Sequence, residues 1–305
     1  MKSLSLLVSV ITLLIMPFQK NNTERQPSVQ AQEPLFTFGL IADVQYCNCE
    51  PAGTRFYRSS LVKLREAVSS LASDSVGFIV NLGDLIDRDI ESFKPVLNIL
   101  DSSGLKVYHV TGNHDYSVDQ RFKRRLPLEQ PDRDGFYSID VHNFRLIFLN
   151  GNELSTYAPA SRQAAKEAEE LILSLKAENA PNSADWNGGI GKNQLEWLKK
   201  QLEESTLANR KAIIFCHFPI FPENAHNLLN NKELISTLEN YHNVIAWFSG
   251  HNHSGNYGNF NYIHCVNMKG MVETETTNSF ARVEIYHNKI WIHGSGRERS
   301  QILAY

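Results

Sequence analysis

The chain has 305 residues, of which 42% are hydrophobic, with 30 Lys plus Arg against 33 Asp plus Glu and a net charge of −3. That length suffices for one large, well-buried α/β domain. The balanced charge, with no basic stripe and no like-charge run, excludes the electrostatic footprint of a nucleic-acid binder, so an anionic substrate would have to meet metal ions and a few local arginines.

Lys2 precedes a mostly apolar run over residues 4–18, followed by a polar tract over 19–33. The run is short for a membrane span and suits the core of a secretory signal. Val29-Gln30-Ala31 puts small residues at the spacing a signal peptidase reads. Residues 1–31 are therefore expected to be a signal peptide or, if uncleaved, an N-terminal anchor, with a single domain over 35–305. Either way the domain is expected to be exported, periplasmic or secreted.

Beyond the leader, strands and helices alternate. Apolar runs at 36–42, 76–82, 106–110, 212–216 and 244–248 predict buried strands. Helices are predicted at 57–71, where Leu61, Leu64, Val68 and Leu71 share a face, and at 90–100. Residues 136–141 and 144–149 read as a hairpin turned at His142-Asn143, and an Ala- and Glu-rich helix follows at 161–176. A turn-rich loop over 179–191 leads to a Leu-periodic helix at 194–202, and the tail over 260–293 is strand-rich. The pattern predicts a domain of two sheets with outer helices. Of the four cysteines, Cys216 and Cys265 lie in apolar runs and read as core residues, whereas Cys47-Asn48-Cys49 lacks the spacing of a redox or zinc motif. An even count in an exported chain permits disulfides without requiring them.

Five of the predicted strands end in metal-ligand residues: Asp43-Val44-Gln45, Gly83-Asp84, Gly112-Asn113-His114-Asp115, His217 and Gly250-His251-Asn252-His253. Strand ends on one sheet edge bring distant residues together. The donors are oxygens and imidazoles without cysteine, the mix of a two-metal hydrolytic site. Two divalent cations need an anionic bridge, and Asp84 is the natural one. Asp43, Gln45 and His253 would complete one site, and Asn113, His217 and His251 the other. A water between the cations would lose its proton near neutral pH and attack phosphorus in line. His114, beside Asn113, is placed to stabilise or protonate the departing oxygen. Asp115 either orients His114 or caps the loop. The seven remaining histidines of the eleven are read as structural.

This five-block pattern resembles the calcineurin-like metallophosphoesterases. Gln45, where most of that superfamily has His, makes the chain similar to a narrower group, the manganese-dependent ADP-ribose/CDP-alcohol diphosphatases. Further segments resemble that group: Gly53-Thr54-Arg55-Phe56-Tyr57-Arg58, Asn187-Gly188-Gly189, His217-Phe218-Pro219-Ile220-Phe221-Pro222, Gly270-Met271-Val272-Glu273-Thr274 and Gly294-Ser295-Gly296-Arg297. The resemblance runs over residues 35–299, although the stretch between Gln45 and Arg55 is short.

It implies an α/β fold built as a two-sheet β-sandwich flanked by helices, four layers in αββα order. The seven ligands named above carry over residue by residue. Arg55 and Arg58 would face a diphosphate or else form helix-surface ion pairs. Asn187, Gly188 and Gly189 would form a pocket wall or only a turn. The implied cofactors are two divalent ions, Mn²⁺ first and Mg²⁺, Fe or Zn²⁺ as alternatives. The implied substrate is a small nucleotide-type molecule whose phosphoanhydride is hydrolysed. The rivals are a cyclic-nucleotide phosphodiesterase or general phosphomonoesterase on the same scaffold, and a non-enzymatic platform that kept the fold.

Overall fold

The computed structural model describes residues 33–132 and 134–305. The leader, with its cleavage site and anchor alternative, falls outside the described residues. The first half runs β1 (Phe36–Ile41), α1 (Ser60–Ser73), β2 (Phe78–Asn81), α2 (Phe93–Asp101), β3 (Lys106–His109), β4 (Tyr137–Val141), β5 (Phe144–Phe148) and α3 (Arg162–Ala177). The second half runs α4 (Lys192–Leu207), β6 (Lys211–Phe215), α5 (Asn231–Leu238), β7 (Val244–Ser249), β8 (Asn256–Phe260), β9 (Ile263–Asn267), β10 (Ser279–Ile285), β11 (Lys289–Gly296) and β12 (Gln301–Ala304).

Among the described residues the strands form two six-stranded sheets, ordered β12-β11-β10-β1-β2-β3 and β4-β5-β6-β7-β9-β8. In the first, β1, β2 and β3 are parallel neighbours; in the second, β5, β6, β7 and β9 are. Both faces of these parallel strands are covered, which is why they read as unbroken apolar runs rather than alternating ones. Phe38 and Leu40 of β1 point inward with Phe148, Phe215 and Phe248 of the facing sheet. Phe215 stacks on Phe148 and Phe248 with ring centroids 4.9 and 5.6 Å apart, and Phe38 meets Phe215 edge-on at 5.9 Å. Burying each such ring contributes about 2–3 kcal/mol.

Ile41 and Ile79 point outward onto Leu64, Val68 and Leu71 of α1 and Phe93 and Val96 of α2. On the other side, Ile214 and Trp247 pack against Leu195, Leu198 and Leu202 of α4 and Leu234 and Leu238 of α5. Helix, sheet, sheet, helix is the four-layer sandwich expected. Among the described residues no helix is long and apolar enough to cross a membrane.

The boundaries differ from expectation where tertiary ties intervene. Helix α1 starts at Ser60 rather than 57, because Arg55 bridges to Glu273 and the Phe56 N–H donates to the Val272 carbonyl (2.9 Å), holding the chain extended. Helix α4 runs well past its leucine stripe, whose periodicity marks only the buried face. Helix α5, of eight residues, was too short to be legible as a periodic pattern. Cys47 and Cys49 are disulfide-bonded, while Cys216 and Cys265 are free and buried.

Candidate metal centre

Asp43 and Gln45 leave the end of β1, Asp84 that of β2, and Asn113 that of β3; His217 follows β6, and His251 and His253 follow β7. Because the strands within each group are parallel neighbours, these ends share an edge, and main-chain bonds stitch the turns together. The N–H groups of Asp43 and Gln45 donate to the carbonyls of Gly83 (3.1 Å) and Asp84 (2.8 Å), and that of Gly250 donates to His217 (2.9 Å).

Four of the seven residues, Asp43, Gln45, Asp84 and His251, have left-handed backbones, with φ of 51°, 42°, 55° and 68°. Each such position costs on the order of 1 kcal/mol or more and persists only where the surroundings impose it. Glycines make the crowding tolerable. Gly83 has φ of 99°, and a Cβ there would lie 2.6 Å from His217 Nδ1; at Gly112 it would lie 2.0 Å from Asp84 Oδ1.

The structure brings all seven side chains together around Asp84. Gln45 Nε2 donates to Asp84 Oδ2 at 3.1 Å, and His217 Nε2 lies 3.3 Å from the same oxygen. His253 Nε2 lies 3.4 Å from Asp43 Oδ1 and 3.1 Å from Gln45 Nε2, and His217 Nε2 is 3.3 Å from Asn113 Oδ1. Asp84, His217 and His251, all buried, offer ligand atoms within 4.8 Å of one another. Asp84 thus sits between two groups, as a bridge must.

Each imidazole uses its other nitrogen on the protein. His217 Nδ1 donates to the Leu82 carbonyl (2.8 Å), His253 Nδ1 to Glu273 Oε1 (2.7 Å) and His251 Nε2 to Asn187 Oδ1 (3.0 Å). Such partners select the tautomer, leaving His217 Nε2, His253 Nε2 and His251 Nδ1 with lone pairs for a metal.

Burial alone would push the Asp84 carboxyl up, yet His217 and His114 hold it far below the usual range. Burial likewise opposes charging of His217 and His253, but Asp84 beside the first and Asp43 beside the second lift both to about 9. His251, buried and facing His217, is held well below the ordinary histidine range. The carboxylate field that draws protons here also draws cations, and a bound cation displaces the proton.

The donors fit two divalent ions on a further observation. Gln45 Oε1 is buried without a hydrogen-bond partner among the described residues. Exchanging the amide's oxygen and nitrogen would turn that oxygen toward Asp84 Oδ2 and His253 Nε2, a grouping of donors that a divalent cation satisfies.

A cavity of about 300 Å³ opens over the cluster, with Arg55, His114, Trp186 and His226 on its walls. A larger cleft of about 520 Å³, between α3 and α4, contains none of the candidate ligands. The His114 N–H donates to Asp84 Oδ1 (2.8 Å), and His114 Nδ1 lies 3.2 Å from Asp87 Oδ1. Against the effect of burial, Asp84 and Asp87 raise His114 to about 9.

Three sequence expectations are corrected. The Asp115 carboxylate does not orient His114: it accepts the N–H groups of Asp84 (2.9 Å), Leu85 (2.8 Å) and Gly112 (2.9 Å), tying two ligand loops together. Arg58 turns away from the cavity, pairing with Glu50 (2.6 Å) and Asn48 (2.8 Å) at the surface. Gly188 and Gly189 are packing positions: a Cβ on Gly188 would meet the Gly151 carbonyl at 2.1 Å, and Gly189 bridges to Leu154. The wall is Trp186 just before them, while Asn187 reaches His251. Arg55 does line the cavity, 4.0 Å from Glu273.

Asp87, Glu273, Trp186 and His226 were not singled out from sequence. Glu273 lay within a segment already noted for its resemblance; the other three had no periodic or spacing signal.

A family model described as calcineurin-like phosphoesterase matches residues 36–255. The manganese-dependent ADP-ribose/CDP-alcohol diphosphatase of Xenopus tropicalis is 28% identical, covering 91% of this chain and 96% of its own length. The protein of the same name from Arabidopsis thaliana is also 28% identical, covering 88% and 97%. The crystal structure of a dimetal phosphatase from Danio rerio superposes with a TM-score of 0.81 at 26% identity, covering 90% of this chain and 100% of that one.

Proposed function

Because this chain belongs to the calcineurin-like phosphoesterase family, we propose that it hydrolyses the phosphoanhydride of nucleoside-diphosphate-linked compounds such as ADP-ribose or a CDP-alcohol. The observation that carries the substrate class is Gln45, buried in the cluster beside Asp84 and His253, in a chain similar over nearly its whole length to diphosphatases so named. Water and the diphosphate give a nucleoside monophosphate and a second phosphate monoester.

Asp43, Gln45, Asp84 and His253 would hold one divalent ion, and Asp84, Asn113, His217 and His251 the other. Three oxygen donors with a single imidazole make the first site a hard one, suited to Mn²⁺. When bound, the pair supplies charge stabilisation at the phosphoryl oxygens and an activated water. Arg55 lines the cavity, and its guanidinium would pair with phosphate oxygens, a match of planar donors to an anion. Trp186, 48% exposed at the rim, offers a flat face on which a base can stack. His114, fixed by Asp87, would donate to the leaving oxygen. A phosphate leaving group, with a second pKa of about 6, needs little protonation, so this donation stabilises charge more than it transfers a proton.

The test is a panel of ADP-ribose, CDP-choline, cAMP and a nitrophenyl ester assayed with Mn²⁺, Mg²⁺ and Zn²⁺. AMP and ribose 5-phosphate from ADP-ribose, fastest with Mn²⁺, are expected. AMP from cAMP with ADP-ribose untouched would replace this reading by a cyclic-nucleotide phosphodiesterase.

The proposal extends to export of the domain, which the apolar leader and the Cys47–Cys49 bridge support, since disulfides persist in oxidising compartments. Mass spectrometry of the mature N-terminus tests it: an intact Met1 on cytoplasmic protein would reject it.

A further inference from the structure

We infer that His226 is a substrate-contacting residue that, with Arg55, holds the second phosphate of the diphosphate, the one not under attack. The inference rests on the diphosphatase reading above and assigns a subsite within it.

His226 lines the cavity over the cluster, and its ring meets that of His251 nearly edge-on, with centroids 5.3 Å apart and planes at 77°. It differs from the other histidines there in one respect. His114, His217, His251 and His253 each commit a ring nitrogen to a protein acceptor. The His226 ring has no hydrogen-bond partner among the described residues; the bond it makes is from its main-chain N–H to Asn224 Oδ1 (2.8 Å). Packing against His251 would require only a flat ring and no free nitrogens.

The loop that carries it is braced. Asn227 Nδ2 donates to the carbonyls of Ile220 (3.0 Å) and Pro222 (3.1 Å), and Asn224 Nδ2 donates to Asn227 Oδ1 (2.6 Å). Asn187, whose oxygen fixes His251, donates its Nδ2 to the Ala225 carbonyl (2.8 Å). One buried amide thus sets both the candidate ligand and the neighbour of His226. A free imidazole on a rigid support is the arrangement of a pre-positioned contact.

Charge accounting selects the ligand. A diphosphate carries negative charge on both phosphates, and the cluster faces only one of them. Among the described wall residues that are not candidate metal ligands, N–H donors come from Arg55, His114, Trp186 and His226. His114 is directed to the leaving oxygen and Trp186 offers mainly its ring face. Arg55 and His226 are left for the second phosphate.

Calorimetric titration of the Mn²⁺-loaded protein with ADP and with AMP isolates a second phosphate, because the single phosphate of AMP fills only the position facing the metals. The native protein is expected to prefer ADP. In His226→Ala this preference should shrink roughly tenfold, the scale of one hydrogen bond to a charged group. His226→Asn, which keeps an N–H donor, should restore part of it. An unchanged ADP-to-AMP ratio in the alanine variant, or equal weakening of both ligands, would overturn the inference, as would a native protein without preference for ADP. Failure of the native protein to turn over ADP-ribose would instead strike the functional reading, and the ligand comparison would still decide the subsite.

Discussion

Asp87 Oδ1 lies 3.2 Å from His114 Nδ1, and the Asp87 main-chain carbonyl oxygen is also 3.2 Å from that nitrogen. Arg88 Nε donates to the other carboxylate oxygen at 2.8 Å, so the aspartate is itself clamped. With burial opposed by His114 and Arg88, its carboxyl is held below the ordinary range and stays ionised. The pair fixes the ring and its proton on one side and leaves Nε2 for the substrate.

Replacing Asp87 by Asn should therefore act on turnover. On ADP-ribose, kcat is expected to fall about tenfold or more, with Mn²⁺ content and KM little changed, because general-acid or hydrogen-bond contributions are of at least that size. His114→Ala should show the same pattern, and the double variant little further loss, since the two residues act as one unit. Steady-state kinetics on ADP-ribose and on an alkyl phosphate ester, whose alkoxide leaving group needs a proton far more, check this. A loss on the alkyl ester no larger than that on ADP-ribose would remove His114 from the leaving-group side.

Glu273 holds His253 through a bond of 2.7 Å between Oε1 and Nδ1. Its carboxyl is lowered to about 2, chiefly by that bond, so it is ionised throughout the neutral range. Glu273→Gln keeps the shape and loses the charge. Mn²⁺ affinity should drop about 10–100-fold, the usual cost of losing a carboxylate behind a metal-binding histidine. Titration of the metal-free protein with Mn²⁺, followed by calorimetry, reads this directly; unchanged affinity would make Glu273 a packing residue.

Gln45→His should shift the metal preference. The variant exchanges an amide oxygen for an imidazole nitrogen at a position bounded by Asp84 and His253. A softer donor favours Zn²⁺ or Fe over Mn²⁺. The expected outcome is a ratio of Zn²⁺- to Mn²⁺-supported activity at least severalfold higher, with the melting temperature retained. An unchanged ratio would reduce Gln45 to a family marker.

Acid should destabilise the fold through His109, a residue outside the cluster. His109 is buried, with Asn81 Nδ2 3.3 Å from its Nδ1, and burial, aided by Lys106, lowers its pKa from 6.5 to about 4. The unfolded chain then binds the proton more readily, so the contribution is fully present above pH 6.5 and is lost as pH falls toward 4. Its full size is on the order of 3 kcal/mol. Urea unfolding of the metal-free native protein and of His109→Gln at pH 7 and 4.5 should show the gap between them narrow by roughly 2–3 kcal/mol. A constant gap would mean that His109 does not titrate as argued.

Much of the centre was legible in the chain. The apolar runs before Asp43, Asp84, Asn113, His217 and His251 declared strands, and a residue just past a parallel strand lies on the functional edge by geometry alone. The element boundaries were less legible, because the start of α1 depends on the Arg55–Glu273 bridge, which no local pattern announces.

What the sequence determined by itself was the two-sheet architecture, the seven candidate ligands and the place of His114 beside them. These follow from short-range properties: the apolar period of a strand and the residue types that end it. Only the tertiary structure decided which group fixes each imidazole and which residues line the cavity. Asp115 looked like the partner of His114 because it is adjacent, yet Asp87, 27 positions away, makes the contact. His251 depends on Asn187 across 64 positions, and His253 on Glu273 across 20. Trp186 and His226 reach the cavity on loops whose course is set by buried asparagines rather than by periodicity. Such pairings come from which strand ends and loops the tertiary fold brings side by side, and a linear pattern carries no record of that neighbourhood.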